Sequence, residues 1–370
     1  MYHLIFIVKI KNNMKVCILG AGLSSLALAK ALVNQKIYVY LFEQNQPHLS
    51  NKTRTLGISK SNVEYFNKNI INIEKIAWKL KKIEIFSDNL KKEKILSFQN
   101  NSEFLFSIIK NYKLYDLLKK NLSKNKYFKK VKFKNEKLNL ENYNLIINTD
   151  FNNFITKKYF NKKLEKKYNS YAMTTVIKHE KILNNVATQI FTRRGPLAFL
   201  PISDDSTSVV YSINNENSNK ENIDKLINHY NSKYKIKKIE KINFFELKAL
   251  SLRSYYQNNI LAFGDLLHRI HPLAGQGFNM TIRDIENLVE IIKYKIDLGL
   301  PLDKAINYEF EKKTKHKNLI FSNAIDLIYE FFNIDRKTKN IFLSKSIQVL
   351  GKNPSINKIF KIIADKGLMF

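Results

Sequence analysis

Glycine is scarce in this chain, with 10 among 370 residues, and proline (6), tryptophan (1) and cysteine (1) are scarcer. One thiol excludes a disulfide framework and a cysteine-based metal cage. Cys17 lies inside the apolar run Val16-Cys17-Ile18-Leu19 and reads as a buried structural thiol. No apolar run reaches the roughly 18–20 residues that cross a bilayer. Acids are also few, 32 against 63 Lys and Arg, for a formal charge of +31. Such a charge suggests nucleic acid or an anionic membrane. Arginine, however, occurs only at 54, 193, 194, 253, 269, 283 and 336. The lysines fall in short scattered clusters such as Lys79-Leu80-Lys81-Lys82, without the interleaved arginine and aromatics of a nucleic-acid surface. Most of the charge therefore reads as a solvated face, and nucleic acid is not expected as a partner. No metal is expected, and a reduced, cytoplasmic protein is the default. Residues 1–13 have too short an apolar core for a signal peptide. They read as a loosely packed leader ahead of Met14, itself a candidate start.

What glycine there is falls at informative places. After the strand-like run 16–19 come Gly20-Ala21-Gly22-Leu23-Ser24-Ser25 and an alanine-rich helical stretch to Leu32. This is the strand–turn–helix of a dinucleotide fold. Gly20 serves the tight turn, Gly22 lets backbone approach a pyrophosphate, and Ser25 stands where a third glycine is usual. A second strand, Tyr38 to Phe42, ends in Glu43, about 20 residues after the turn, where a carboxylate binds a ribose hydroxyl. Far along the chain, Ile260-Leu261-Ala262-Phe263 reads as a buried strand delivering Gly264 and Asp265. Gly275-Gln276-Gly277-Phe278-Asn279 then opens a helix with apolar Ile282, Ile285, Leu288, Val289 and Ile292. An Asp beside a helix N-terminus suits a polar, electron-rich ligand: the carboxylate accepts hydroxyls and the free N–H groups face negative charge.

The string from Gly264 to Asn279, with His268, His271 and Pro272 inside it, resembles the second FAD-binding motif of the single-component flavin hydroxylases, particularly the aromatic-ring hydroxylases of ubiquinone biosynthesis. Phe191 with Gly195-Pro196-Leu197-Ala198 and Leu200-Pro201 is similar to the same group, and the resemblance spans residue 14 to the C-terminus. It implies an α/β protein: a Rossmann-like FAD-binding domain with an inserted antiparallel-sheet substrate domain and a C-terminal helical segment. The expected division is 14–70, 100–160 and 248–295 for FAD, 71–99 and 161–247 for substrate, and 296–370 for the helical region. The implied activity is hydroxylation of a phenolic ring, most simply a polyprenylated ubiquinone precursor, through a flavin hydroperoxide. It needs FAD, O2, and NAD(P)H or a separate reductase. By that resemblance Gly20, Gly22, Glu43 and Arg54 hold the adenosine and pyrophosphate side, and Ser25 and Asp150 also belong to the cofactor site, Asp150 in the motif between pyrophosphate and nicotinamide. Asp265 takes the ribityl chain, and Gly275, Gln276, Gly277, Phe278 and Asn279 face the pyrimidine edge. Phe191, Phe199 and Pro272 are the expected substrate contacts. His268 and His271 are the side chains nearest a catalytic role, with a structural role for both as the simpler reading.

Three readings stay open. Asn144 to Phe151 ends a strand where the family has Asp-Gly; Asp150 fits, but Phe151 replaces glycine, so either the turn differs or NAD(P)H is handled differently. A flavoprotein that has lost hydroxylation and serves structurally in a quinone-synthesis complex would fit that change, and a flavin monooxygenase of another aromatic substrate is a further alternative. The last helix, Ile356 to Ala364, suits docking on the body or peripheral contact with an anionic inner-membrane surface. Elsewhere, 73–99 reads as strands, Ser107 to Leu118 as helix, and 215–247 as polar and then helical. Four strands are expected at 171–177, 187–192, 195–202 and 208–212, and helices from Asp303 onward.

Overall fold

The computed structural model describes residues 14–43, 52–90, 93–99, 103–132, 140–214, 223–271, 275–338 and 341–367. Pro272 and the leader 1–13 lie outside them. The apolar run near the N-terminus forms Lys15–Leu19 (β1), buried but for its first residue, and feeds Leu23–Asn34 (α1). Four alanines and leucines at 26–29 are buried together, so α1 lies close on the sheet. Tyr38–Glu43 (β2) pairs parallel with β1. Thr55–Ser59 (β3) leads into Lys60–Asn69 (α2).

Strands Ala77–Leu80 (β4), Lys82–Ser87 (β5), Lys94–Gln99 (β6) and Phe106–Lys110 (β7) follow, then Asn111–Leu122 (α3). The helix expected from Ser107 thus begins only at Asn111. Residues 106–110 are claimed by antiparallel pairing with both β3 and β4, a tertiary demand that overrides local spacing. Phe128–Lys132 (β8) and Leu145–Asn148 (β9) complete the nucleotide side, and Phe154–Tyr159 (α4) is capped by Asn153, whose side chain accepts from Thr156 N–H.

The larger sheet is built on a 17-residue strand, Lys163–His179 (β10), with Val186–Thr192 (β11), Gly195–Ser203 (β12) and Ser206–Asn214 (β13) at the expected places. Ile223–Tyr230 (α5) covers it. Residues expected to continue as helix instead form Ile236–Ile239 (β14) and Asn243–Leu252 (β15). Both pair antiparallel with β10. Their local spacing is not strand-like, as in Ile236-Lys237-Lys238-Ile239, and pairing with β10 decides their conformation. Tyr256–Gln257 (β16), Ile260–Ala262 (β17) and His268–Arg269 (β18) return the chain to the nucleotide side, and Gln276–Asp297 (α6), Lys304–Thr338 (α7), Ile341–Lys352 (α8) and Pro354–Lys366 (α9) finish it.

Three sheets result. The first has the order β16-β17-β9-β1-β2-β8 and is parallel except for β16. The second has the order β18-β15-β10-β13-β12-β11-β5-β6, with β14 also on β10, and the third is β3-β7-β4. The α/β class, Rossmann-like sheet and helical tail are as expected, and the second sheet is antiparallel except where β5 pairs parallel with β11. β15 runs past the expected boundary at 247, and β4 joins the small sheet.

Candidate functional site

The three sheets and both glycine turns enclose a cavity of about 1550 Å³. At one end, β1 and β17 aim their C-terminal ends at it, the crevice where open α/β sheets take ligands. Gly20, with φ +104°, makes the turn; an added Cβ would stand 2.4 Å from Thr149 Oγ1. Gly22 has ordinary backbone angles, and a Cβ there would meet nothing within 4 Å. It opens α1, whose N-terminus has no side-chain cap and no acid in its first turn. Gly277, in the first turn of α6, likewise faces open space, and α6 also starts without a side-chain cap. Two helix N-termini with free N–H groups therefore point into one cavity, which suits phosphate and electron-rich ring edges.

Asp265 is exposed to the cavity and makes no hydrogen bond among the described residues. Gln276 donates through Nε2 to Ala364 O at 3.1 Å, while its buried Oε1 has no partner among the described residues. An unpaired carboxylate and an orphaned amide oxygen beside uncapped helices are the donor and acceptor set that a dinucleotide with a hydroxylated chain satisfies. The residues fit FAD. Arg54, Asp150 and Phe278 also line the cavity. The Asp150 carboxylate accepts Asn152 N–H at 2.8 Å, closing a local turn as well. Ser25 is buried and shares a 2.7 Å hydroxyl bond with Thr149, so it supports the turn where glycine would have let the helix approach.

Other expected contacts point elsewhere. The Glu43 carboxylate is turned to Lys130 Nζ on neighbouring β8 at 2.5 Å and is absent from the cavity wall. Asn279 is fully buried behind the wall. It accepts from Ser59 N–H and Asn62 and donates to Gly57 O, tying α6 to β3. Phe199 faces the opposite side of β12, in the core with Tyr211 and Tyr234. Phe191 lies at the end of β11, its ring stacked on Phe332 with centroids 3.4 Å apart. Neither Phe lines the cavity. On β11 and β12 the residues that do are smaller, among them Gln189, Pro196, Ala198 and Leu200, while the aromatics that this sheet gives the wall are Phe98, Phe244 and Phe245 on β6 and β15.

The two histidines separate clearly. His268 is buried and bonded through Nε2 to Asp284 at 2.5 Å; Asp284 in turn accepts from Asn318. It is committed to holding β18 on α6. His271 is buried between Tyr329, stacked at 4.2 Å, and Tyr168, edge-on at 4.9 Å, and neither ring nitrogen has a partner among the described residues. Burial, reinforced by Lys166, pushes its pKa down to about 3, so the ring is neutral.

Phe151 lines the cavity under Arg269, whose guanidinium lies 4.6 Å from the ring centroid. Its φ is not positive, so the turn is one a side chain tolerates, and the departure from glycine leaves no backbone strain. The ring itself is the change. The cavity wall also includes an apolar lobe formed by Leu80, Ile83, Ile85, Phe98, Phe106 and Ile108.

Sequence reasoning missed the contribution of α9. Phe360, Ala364 and Asp365 stand in the cavity wall. Asp365 Oδ1 accepts Ser61 N–H at 2.8 Å, capping α2 from 304 residues away, and its carbonyl accepts from Ser59 and Ser61 hydroxyls. Only the fold brings these together. Gly57 on β3 is a further such residue: a Cβ there would run into the Phe106 ring.

Comparison with known proteins agrees with this geometry. Residues 209–296 match the FAD binding domain family. The chain is 24% identical over 217 residues to the ubiquinone biosynthesis monooxygenase COQ6 of Drosophila melanogaster, covering 48% of this chain and 46% of the relative. It is 26% identical over 171 residues to the 3-demethoxyubiquinol 3-hydroxylase of Escherichia coli, covering 39% of each. The matches to these curated relatives thus span about half of their length or less. Among solved structures, p-nitrophenol 4-monooxygenase PnpA from Pseudomonas putida superposes with a TM-score of 0.76 at 12% identity, over 94% of this chain and 97% of that one. HpxO of Klebsiella pneumoniae, complexed with FAD and uric acid, gives 0.72 at 12% identity over 95% and 97%. The resemblance read from the motifs is borne out: the chain has the fold of the flavin-dependent monooxygenases, carries an FAD binding domain match, and is similar in sequence to the ubiquinone-biosynthesis hydroxylases.

Proposed function

We propose that this protein is an FAD-dependent monooxygenase hydroxylating a phenolic ring, with a polyprenylated ubiquinone precursor as substrate. The observation that carries the reading is the convergence of Gly22, Asp265, Gln276 and Gly277 on one large cavity between the two main sheets. Bound flavin, reduced by NAD(P)H or a reductase, supplies the activation of O2. The protein holds, orients and keeps dry. The α1 N-terminus binds the pyrophosphate through backbone N–H groups, with Arg54 and Asp150 beside it. Asp265 accepts hydroxyls of the ribityl chain, and Gln276 to Phe278 hold the pyrimidine edge. Residues 14–70, 100–160 and 248–295 form the cofactor side, 71–99 and 161–247 the substrate side, and 296–370 the helical wall. Ala198, Pro196 and Leu200 leave room for a flat ring under the larger sheet, and the apolar lobe from Leu80 to Ile108 suits a prenyl tail. Closure around these apolar walls keeps water from the reacting ring.

No described helix is long and apolar enough to cross a membrane. Peripheral contact with a membrane or with a quinone-synthesis complex is part of the proposal, because an apolar tail partitions into lipid. Anaerobic reduction, exposure to labelled O2 with a short-chain prenylphenol, and mass spectrometry test the function. One labelled oxygen in the product is the expected result. Flavin-loaded protein that reduces O2 without labelling any phenol overturns it. The Phe151–Arg269 stack supports a second reading, in which the site is oxygenation-silent and structural; that same result would favour it.

A further inference from the structure

The final two helices pack Ile347 and Ile363 on the body but leave other apolar side chains uncovered. No residue of α9 is buried, although one edge of it forms cavity wall. Ile359 is 54% exposed, and Val349 and Leu350 of the preceding helix α8 are 67% and 47% exposed. Residues 341–366 carry five lysines, at 345, 352, 358, 361 and 366, against one acid, Asp365. Five lysines against one acid leave the segment a net charge of +4; Lys361, Asp365 and Lys366 belong to the cavity wall, whereas Lys345, Lys352 and Lys358 lie outside it. With 12 and 13 residues the helices are too short to span a bilayer.

The composition tells what covers such a face. Protein interfaces draw on Trp, Tyr and Arg and are depleted in Lys; residues 341–366 hold no Trp, Tyr or Arg. Aliphatic residues among lysines are instead what an interfacial helix uses, with the stems lying on acyl chains and the ammonium groups at headgroups. We propose that α8 and α9 form an interfacial anchor that seats the cavity mouth on an anionic lipid surface. The proposal rests on the reading of the cavity as a site for a lipid-tailed phenol, and it names the surface from which that substrate is drawn. Because Phe360 and Ala364 of α9 belong to the cavity wall, lipid beneath α9 places the mouth against the bilayer.

Flotation of the flavin-loaded protein with phosphatidylcholine vesicles, with and without one-third phosphatidylglycerol, tests it. Binding should be at least about tenfold stronger to the anionic vesicles and weaken with salt. Val349→Glu/Ile359→Glu, outside the cavity wall, should lose about tenfold in binding while flavin content and melting temperature hold. Lys352→Glu/Lys358→Glu should lower binding and flatten its salt dependence. No binding by the parent, equal binding to neutral vesicles, or unchanged binding by the Glu pair would overturn the anchor. So would a dimer in gel filtration that the Glu pair dissolves, which assigns the face to a second copy. Turnover of a water-soluble phenol without vesicles separates the two readings. If the anchor alone is wrong, turnover persists without lipid binding; if hydroxylation alone is wrong, lipid binding persists without turnover.

Discussion

Gly20 and Gly22 sit two residues apart and should fail differently when given a methyl group. At Gly20 the left-handed φ of +104° costs an alanine about 1–3 kcal/mol. Its Cβ also lands 2.4 Å from Thr149 Oγ1, an atom bonded to Leu19 O at 2.9 Å and to Ser25 Oγ at 2.7 Å. Moving that hydroxyl gives up bonds worth about 0.5–1.5 kcal/mol each. Gly20→Ala should therefore lose about 2–6 kcal/mol of fold stability, lowering the melting temperature of the flavin-free protein by roughly 3–8 °C. Gly22 has φ −72° and open space around its missing Cβ, so Gly22→Ala should leave that temperature unchanged or raise it by about a degree. The methyl group does occupy the space in front of the α1 N–H groups. FAD affinity should fall at least tenfold, about 1.4 kcal/mol. Calorimetry on stripped protein and flavin fluorescence titration separate the two quantities. If Gly22→Ala binds FAD as the parent does, the pyrophosphate does not lie at this helix and the site assignment fails. A Gly20→Ala protein of parental stability would refute the strain calculation.

Asp265→Ala should remove a hydroxyl acceptor and leave ligand donors unpaired, costing about 1–3 kcal/mol of FAD affinity; equal flavin occupancy after gel filtration counts against it. Phe151→Gly removes the ring beneath Arg269 rather than relieving any backbone strain, so its expected effect is faster anaerobic bleaching of the flavin by NADH or NADPH with flavin content unchanged. Rapid bleaching of the parent would show that the ring obstructs nothing. His271 is held neutral in the fold at a pKa of about 3, against 6.5 ordinarily. The unfolded chain takes up its proton first as pH falls, so stability is lost between about pH 6.5 and 3, at up to about 1.4 kcal/mol per unit. The groups facing it are Lys166, Glu330, Tyr168 and Tyr329. Denaturant midpoints at pH 7 and pH 5 should converge in His271→Phe relative to the parent, and identical pH slopes in the two proteins would show that His271 is not the group responsible.

Much of the nucleotide side was legible because its signals are local. A buried four-residue run, a glycine turn and an alanine-rich helix need no distant partner to be recognised, and they became β1 and α1 where they stood. The failures were contests between local spacing and tertiary pairing. Ser107 to Lys110 looks helical in isolation, yet β3 and β4 lie on either side of it and take its backbone hydrogen bonds. In 236–252 the apolar residues keep no two-residue alternation, and it is pairing with β10 that makes strands of them. The reach of α9 to Ser61 leaves no trace in the sequence at all, since Asp365 resembles any other helix-end acid until the fold brings α2 to it.

The aromatic substrate contacts failed for a reason that applies to other cavities. A flat ligand suggests flat side chains, and that expectation selected Phe191 and Phe199. Large rings, however, are what fill the space between packed layers, and β12 uses them so. Phe199, with Leu197, supports α5 from one face, while Pro196, Ala198 and Leu200 on the other leave the volume a ligand needs. On a strand the face matters more than the residue type, because one step in sequence moves a side chain from core to cavity. The small residues between the aromatics were the stronger sign of a binding site. The same holds for Gly22 and Gly277, where an absent side chain leaves room for the ligand. Substrate discrimination should accordingly respond to Ala198→Leu or Pro196→Leu, which add volume inside the cavity, and hardly to Phe199→Leu, whose cost falls on stability.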